Sequence, residues 1–550
     1  MGFLGINIKY WAIFIGIFIL LLFATRATIK DSKLFMKVLY LGLIMTLVGV
    51  LYKYFNFIFY PTLLLYLVLP ATFLGCVLAL IGSVKPKAAF DNVLLNTNKG
   101  DKVAVNVFAH TAIFAASRHG KTASLVLPYA KHFAEYDFAG VYYDYKNGEL
   151  YEGIKPLFPN NHYVFAVHRP DITKRINIIS PSSIYDEKDV NSLVYIFLDN
   201  LLDLEKQGDF FVKTATSLLS GVILKLALDH PNMCYLPHVC VFLQAVDFAL
   251  KKEEAKGLKD DVYDTFAGLK KFLFENDRAR MQASSFLMGL ASERQTAGVI
   301  STLSNALREV SYPDAFWALS GDELDLAINK EGNRKVLAII NEPVNDHAIS
   351  PLLATVIHAT TRAMMERNRR PSFLMMDEGV TIKQKNLGRI VSTMASFNIA
   401  VLYCIQDMKQ GEEVYGVTRF KSILANFSTL YFGRANEAET AKYYEQYSPL
   451  IKEKSYTRSR SSGSGSSSST SISEREIPKY RITDFTNLKK GTFLMINNGK
   501  TEMLKFKLLP NMKNEPFPPK TDEMSNIVLQ NYNKIIKQMR DFALSLGITE

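Results

Sequence analysis

Cysteine is scarce in this 550-residue chain, and its four copies, Cys76, Cys234, Cys240 and Cys404, fall at spacings that form no metal motif. Nothing here suggests zinc, and buried or free cytosolic thiols are the better reading. Acidic residues are nearly missing from residues 1–90, where Asp31 stands alone against eight Lys or Arg. The net charge of +11 is therefore concentrated there, with about +4 left for the other 460 residues. Such a balance speaks of membrane orientation and is weak support for a nucleic-acid surface.

The same 90 residues are rich in long apolar runs. Three candidate membrane spans are residues 6–24, 38–55 and 57–81, the last interrupted by Pro61 and Pro70. No small-residue cleavage site follows the first, which reads as a retained anchor and not a signal peptide. Arg26, Lys30, Lys33 and Lys37 place the first connection in the cytoplasm. Three spans put the N-terminus outside and return the chain to the cytoplasm at Lys85 and Lys87; two spans is the alternative.

A glycine is also missing where one is wanted. Residues 115–122, Ala-Ala-Ser-Arg-His-Gly-Lys-Thr, follow the pattern G-x-x-x-x-G-K-[ST] of a phosphate-binding loop except that Ala115 replaces the first Gly. In such a loop backbone N–H groups curl round the phosphates, the lysine reaches the terminal ones and the hydroxyl holds Mg²⁺. The flanks fit: residues 111–116 are an apolar run of strand length, and 122–133 have helical apolar spacing with Pro128 early. Ala for Gly costs on the order of 1 kcal/mol where φ is tolerable and more where φ must be positive. A chance G-K-T in a loop is the alternative, and the flanks weigh against it.

From residue 102 onward strands alternate with helices, predicting an α/β fold with a mostly parallel sheet. After the loop, strands are expected at 140–144, 163–167, 336–341, 373–376, 399–405 and 429–432. Between the second and third of these lie residues 189–320, helical throughout, too long for a crossover and read as an inserted all-α domain with a core near 230–290. The resulting division is an anchor (1–90), a nucleotide-binding domain in two parts (91–188 and 321–515) around the insertion, and a tail (516–550). Residues 461–473, a Ser/Gly run within 455–475, are expected to be a loop without order. A terminal hairpin is expected at 491–496 and 503–508 with Asn497-Asn498-Gly499 as turn, and a helix at 527–546 with charge on both faces.

Nucleotide hydrolysis needs a carboxylate for Mg²⁺ and a base for water at a strand end beside the phosphate loop. Residues 372–378, Ser-Phe-Leu-Met-Met-Asp-Glu, supply both: Asp377 joins Thr122 at the metal and Glu378 polarises the attacking water. Gln406, ending the 399–405 strand, is placed either to sense a γ-phosphate or to cap the next helix. Arg434 follows the 429–432 strand; a role on a neighbouring subunit's nucleotide competes with simple solvation, the commoner fate of such arginines. Ser117, Arg118, His119, Gly120 and Lys121 form the loop that holds the cofactor. Asp144 and Lys146 end the 140–144 strand on the edge where open α/β sheets bind ligands.

With these residues in order, the chain resembles the type IV secretion coupling proteins of the TraG/TraD kind, relatives of ring-forming DNA translocases. The resemblance runs over about residues 100–510: the phosphate loop, residues 143–150 (Tyr-Asp-Tyr-Lys-Asn-Gly-Glu-Leu), 210–228, 296–307, Asp377-Glu378, Gln406 with Val414-Tyr415-Gly416, and 426–444 with Glu439-Thr440-Ala441. Ala115 and a third membrane span depart from the family pattern. The resemblance implies a RecA-like P-loop domain and a homo-hexameric ATPase of the bacterial inner membrane, its ATPase domain cytoplasmic, using ATP and Mg²⁺. Its partners would be relaxase-bound single-stranded DNA, secreted protein or both, and secretion-channel components. A membrane-tethered receptor that docks protein cargo over a structural nucleotide site is the alternative. An ABC-type exporter is poorly supported, because Leu219-Ser220-Gly221 lies in the wrong place for its signature.

Overall fold

The computed structural model describes residues 89–548, apart from 99, 101, 183–185, 203, 205–206, 256–263, 385–386, 462–466 and 510–513. The expected membrane spans within residues 1–90 lie outside the described residues. Contacts divide the chain into two compact units, and the described residues belong to the second, Lys87–Glu550.

An antiparallel pair, β1 (Asn92–Asn96) and β2 (Lys102–Asn106), precedes β3 (Thr111–Phe114), β4 (Ala139–Asp144) and β5 (His162–Phe165). After a long helical stretch come β6 (Val336–Ile340), β7 (Ser372–Met376), β8 (Ile399–Ile405) and β9 (Thr429–Phe432), then the pairs β10 (Leu450–Ser461) with β11 (Ser467–Pro478) and β12 (Thr492–Asn497) with β13 (Lys500–Lys505). Nine of these build one sheet in the order β13-β12-β9-β3-β8-β7-β4-β6-β5. From β9 to β5 neighbouring strands are parallel, and β12 and β13 add an antiparallel edge. The result is the mixed α/β fold with a mostly parallel sheet that the alternation of elements predicts.

The two-residue period of the strands sorts the core onto two faces. Ile113, Tyr142, Phe373, Met375, Leu402 and Tyr431 face the helix Leu127–Glu135 and the β1–β2 pair. Ala112, Phe114, Val141, Tyr143, Leu374, Met376 and Phe432 face a second core that includes the helices between Glu187 and Leu319. One of these, Asp209–Asp229, is the one helix among the described residues long and apolar enough to cross a membrane, and it is mostly buried.

Three elements differ from expectation, and a fourth takes one of two readings left open. The helix expected over 122–133 opens with a π-helical turn, Thr122–Val126, before the α-helix Leu127–Glu135. Pro128 explains it, since a residue without an N–H cannot serve the carbonyl four positions back. Residues 467–473 of the Ser-rich run pair as β11 against β10, where Ser473 faces Ser455 and Ile472 faces Tyr456. Ladder hydrogen bonds need no apolar face, so composition alone misreads this segment. The β12–β13 turn is narrower than expected, Asn498-Gly499, with both residues at positive φ (50° and 74°) as a two-residue hairpin turn demands. The tail helix, Ser525–Ser545, whose charge on both faces leaves a packed and a solvated end equally open, packs: Val528, Ile535, Met539 and Ala543 are buried, and the Phe542 ring lies 5.8 Å from that of Phe272.

Candidate nucleotide site

The sheet order brings the chemistry together. Four adjacent parallel strands, β3, β8, β7 and β4, end on one edge and carry respectively the phosphate loop, Gln406, Asp377-Glu378 and Asp144-Lys146. Lys121 Nζ lies 3.1 Å from Asp377 Oδ1 and donates to Glu378 Oε1 at 3.1 Å. Gln406 Nε2 donates to the same Glu378 oxygen at 3.0 Å, and Lys146 Nζ stands 3.9 Å from it. The capping role open to Gln406 falls instead to Asp407, whose carboxylate accepts the Gln410 N–H.

These groups sit in a dry setting. The side chains of Lys121 and Glu378 are 8% and 3% exposed, so their mutual attraction is little screened by solvent. Burial works against the lysine charge, yet the Asp377 carboxylate and then Glu378 outweigh it and hold the Lys121 pKa above the ordinary lysine value. Glu378 adopts a left-handed backbone at φ 52°, a conformation costing a non-glycine residue on the order of 1 kcal/mol. That turn directs its carboxylate from the end of β7 to Lys121 and Gln406.

The missing glycine is explained by the loop geometry. Ala115 is buried with an ordinary negative φ, while Arg118 (φ 60°) and Gly120 (φ 93°) take the left-handed positions. A Cβ at 115 therefore strains nothing in the backbone. Ser117 and Arg118 are exposed; His119 turns inward, donates from Nε2 to the Thr492 carbonyl at 2.8 Å and meets the Phe493 ring edge-on. Burial first, and also the charge of Arg434, lower the His119 pKa against the pull of the Thr492 carbonyl.

Asp144 is not aimed at the loop. Its buried carboxylate accepts backbone N–H groups of Lys146 (3.0 Å), Leu150 (2.8 Å) and Tyr151 (2.9 Å), securing the helix Glu149–Ile154. Burial raises its pKa to about 6 despite those bonds. Arg434 lies on the other side of the loop, at the end of β9: its carbonyl accepts the Ala116 N–H at 2.9 Å and its buried Nε has no hydrogen-bond partner.

The residues fit a hard divalent cation held together with phosphates. Asp377 Oδ1 is buried and, apart from its ion pair with Lys121, makes no hydrogen bond, leaving lone pairs unsatisfied. Mg²⁺ takes few protein ligands and several from phosphates and water, so one such carboxylate is enough for its shell. Cys404, fully buried in β8, has its thiol pKa pushed up by burial and is inert.

Sequence reasoning overlooked Lys490 and Ser124. The Lys490 stem lies on Gly120, and the buried Ser124 hydroxyl has no hydrogen-bond partner beside it. Lys490 precedes β12, far from any motif, and only the adjacent Gly491 hints at a close approach.

The fold of TrwBdeltaN70, a bacterial conjugative coupling protein in its unbound monoclinic form, is similar, with a TM-score of 0.56 and 14% identity over 79% of this chain and 92% of that one. The plasmid coupling protein TrwB in complex with ADP and Mg²⁺ and TrwB in complex with a non-hydrolysable ATP analogue each match with a TM-score of 0.58 at 14% identity, over 78% of this chain and 92% of theirs. Comparison with curated protein sequences finds no match. A family model described as type IV secretory system conjugative DNA transfer matches residues 80–481, well over half of the sequence. The chain therefore belongs to the type IV secretory system conjugative DNA transfer family.

Proposed function

We propose that this chain is a membrane-anchored, P-loop ATPase that delivers substrate to a type IV secretion channel and energises its transfer. One observation carries the reading: Lys121 is held by Asp377 and Glu378, while Gln406 shares the Glu378 oxygen. This is a cation for terminal phosphates from the end of β3, a metal-shell carboxylate and a general base from the end of β7, and an orienting amide from β8 between them. Its physical logic is exchange. An arriving polyphosphate competes for Lys121, and release of that lysine frees Glu378 to orient and deprotonate water, with Gln406 keeping the carboxylate in place.

Thr122 and Asp377 would hold Mg²⁺ together with the nucleotide, and the ion would supply charge neutralisation on the phosphates. Backbone N–H groups of residues 117–121 cradle them, with Ser117, Arg118 and His119 supplying the curve of the loop and Lys146 adding charge behind Glu378. Asp144 supports the site through the backbone it binds. Arg434, with a buried and unpartnered Nε beside the loop, offers its charge to the phosphates of this chain's own nucleotide; to serve a neighbouring subunit's nucleotide in a homo-hexamer it would have to turn outward.

In this reading residues 1–90 anchor the chain in the bacterial inner membrane with two or three spans, and the remainder is cytoplasmic. The nucleotide-binding domain comprises 91–188 and 321–515, with the helical insertion 189–320 and the tail 516–550 as substrate or accessory readers. TrwB is a conjugative, plasmid coupling protein whose structure has been solved with nucleotides; by family, the substrate here is relaxase-bound single-stranded DNA, secreted protein or both.

ATP hydrolysis by the full chain in detergent tests this, with and without single-stranded DNA. The expected result is turnover that rises with DNA and disappears in Glu378→Gln. Turnover equal in wild type and Glu378→Gln overturns it. Protein capture that survives Glu378→Gln would favour a docking receptor instead.

A further inference from the structure

The phosphate loop has a neighbour that no strand end of the parallel sheet supplies. The Gly491 N–H donates to the His119 carbonyl at 2.8 Å, and the His119 ring returns a bond to Thr492, so the start of β12 is tied to the loop at two points. The preceding residue, Lys490, lays its aliphatic stem on Gly120: a Cβ built on Gly120 would stand 3.3 Å from Lys490 Cγ and 3.5 Å from its Cε. Gly120 thus serves two requirements, a left-handed φ and room for this stem.

Charge counting at the site then becomes informative. Lys121 pairs with Asp377 and Glu378, and Lys146 stands 3.6 Å from Glu149 and 3.9 Å from Glu378, so these two cations already face three carboxylates. A nucleoside triphosphate adds several negative charges to a cluster with no positive charge to spare. Lys490 is exposed at the mouth of the loop, and among the described residues no carboxylate pairs with it. Its ammonium therefore has no competitor to leave before meeting a phosphate.

We propose that Lys490 is a second phosphate-binding lysine of this site, contacting the phosphates of a nucleoside di- or triphosphate alongside Lys121. The inference rests on the nucleotide-binding reading above. It also makes nucleotide affinity depend on the β12–β13 edge of the sheet, since displacement of that edge carries Lys490 off Gly120.

The test is equilibrium binding of a fluorescent ATP analogue to the full chain in detergent, with ATP, ADP and AMP as competitors. Wild type that binds, with Lys121→Ala that does not, upholds the nucleotide reading independently. Against that background Lys490→Ala should weaken ATP and ADP by about tenfold, as expected for one charge-assisted contact, and should change AMP less. Lys490→Arg should restore most of the affinity, and Lys489→Ala should leave it unchanged. Melting temperatures should match wild type, because Lys490 is exposed. Wild-type affinity in Lys490→Ala, or equal losses in Lys489→Ala, overturns this inference alone; a wild type that binds no nucleotide overturns both.

Discussion

Lys121 and Glu378, 257 positions apart in the chain, form a direct ion pair with their side chains almost wholly out of solvent. A buried pair of this kind contributes less to stability than it costs to break, because the remaining partner is left charged and unsolvated. Lys121→Met strands Asp377 and Glu378 together, so it should lose nucleotide binding and also about 3 kcal/mol of stability. Glu378→Gln keeps the Lys121–Asp377 pair and an amide oxygen for Gln406. It should melt near wild type and bind ATP, while turnover falls by about 10²–10⁴. Thermal melting beside single-turnover hydrolysis separates the two variants.

Gln406 acts on Glu378 through one hydrogen bond, so its removal should touch rate more than fold. Gln406→Ala should lower turnover about tenfold with little change in melting temperature. Gln406→Glu removes the amide donor and sets a second carboxyl against Glu378 in a setting little screened by solvent, so it should lower turnover further than Gln406→Ala does. Turnover equal in the two variants would show that the Gln406 amide is not what holds Glu378.

The parallel strands and three motif ends were legible because each is a local signal: an apolar run followed by Gly-Lys-Thr, Asp-Glu or Gln. Their adjacency was not, since it depends on strand order and β8 separates β3 from β7. Asp144 shows the limit of edge placement as a guide: a carboxylate at the correct strand end can spend all its acceptors on neighbouring backbone. Lys490 had no local pattern beyond the adjacent Gly491, because its position comes from an antiparallel edge folding back over the loop. The β10–β11 pair was hidden for another reason: serine-rich strands carry none of the apolar alternation by which strands are recognised.

The tail is bound where it crosses the β4 loop. Phe517 covers Gly148 so closely that a Cβ there would stand 2.5 Å from its ring, while Arg169 stacks 4.8 Å from the ring centre. Arg169 also donates to the Pro518 and Pro519 carbonyls at 2.7 and 3.1 Å. Phe517→Ala should cost about 1–2 kcal/mol, since the ring is half-buried. It should also open cleavage by trypsin after Lys520 while Lys121-dependent nucleotide binding persists. Gly148→Ala should be worse, because it combines the clash with a φ of +99° that alanine resists. Limited proteolysis and melting of both variants check this order.

His110 sets a pH dependence whose sign follows from its bonds. It is buried between β2 and β3, and its Nδ1 accepts the Val401 N–H of β8 at 3.2 Å, which requires the neutral ring. Burial lowers its pKa from 6.5 to about 4. The unfolded chain therefore takes up a proton near pH 6.5 that the folded chain refuses until about pH 4. The stability tied to neutral His110 is fully present above pH 6.5 and is lost as pH falls through that window, reaching about 3 kcal/mol at the acid end. His110→Gln retains a side-chain acceptor for Val401 and removes the titration. Melting temperatures of the two proteins, measured from pH 7.5 down to pH 4.5, should diverge as the pH drops, with the wild type losing more. Parallel curves would mean that His110 binds its proton equally in the folded and unfolded chain, and so that neither its burial nor its bond to Val401 favours the neutral ring.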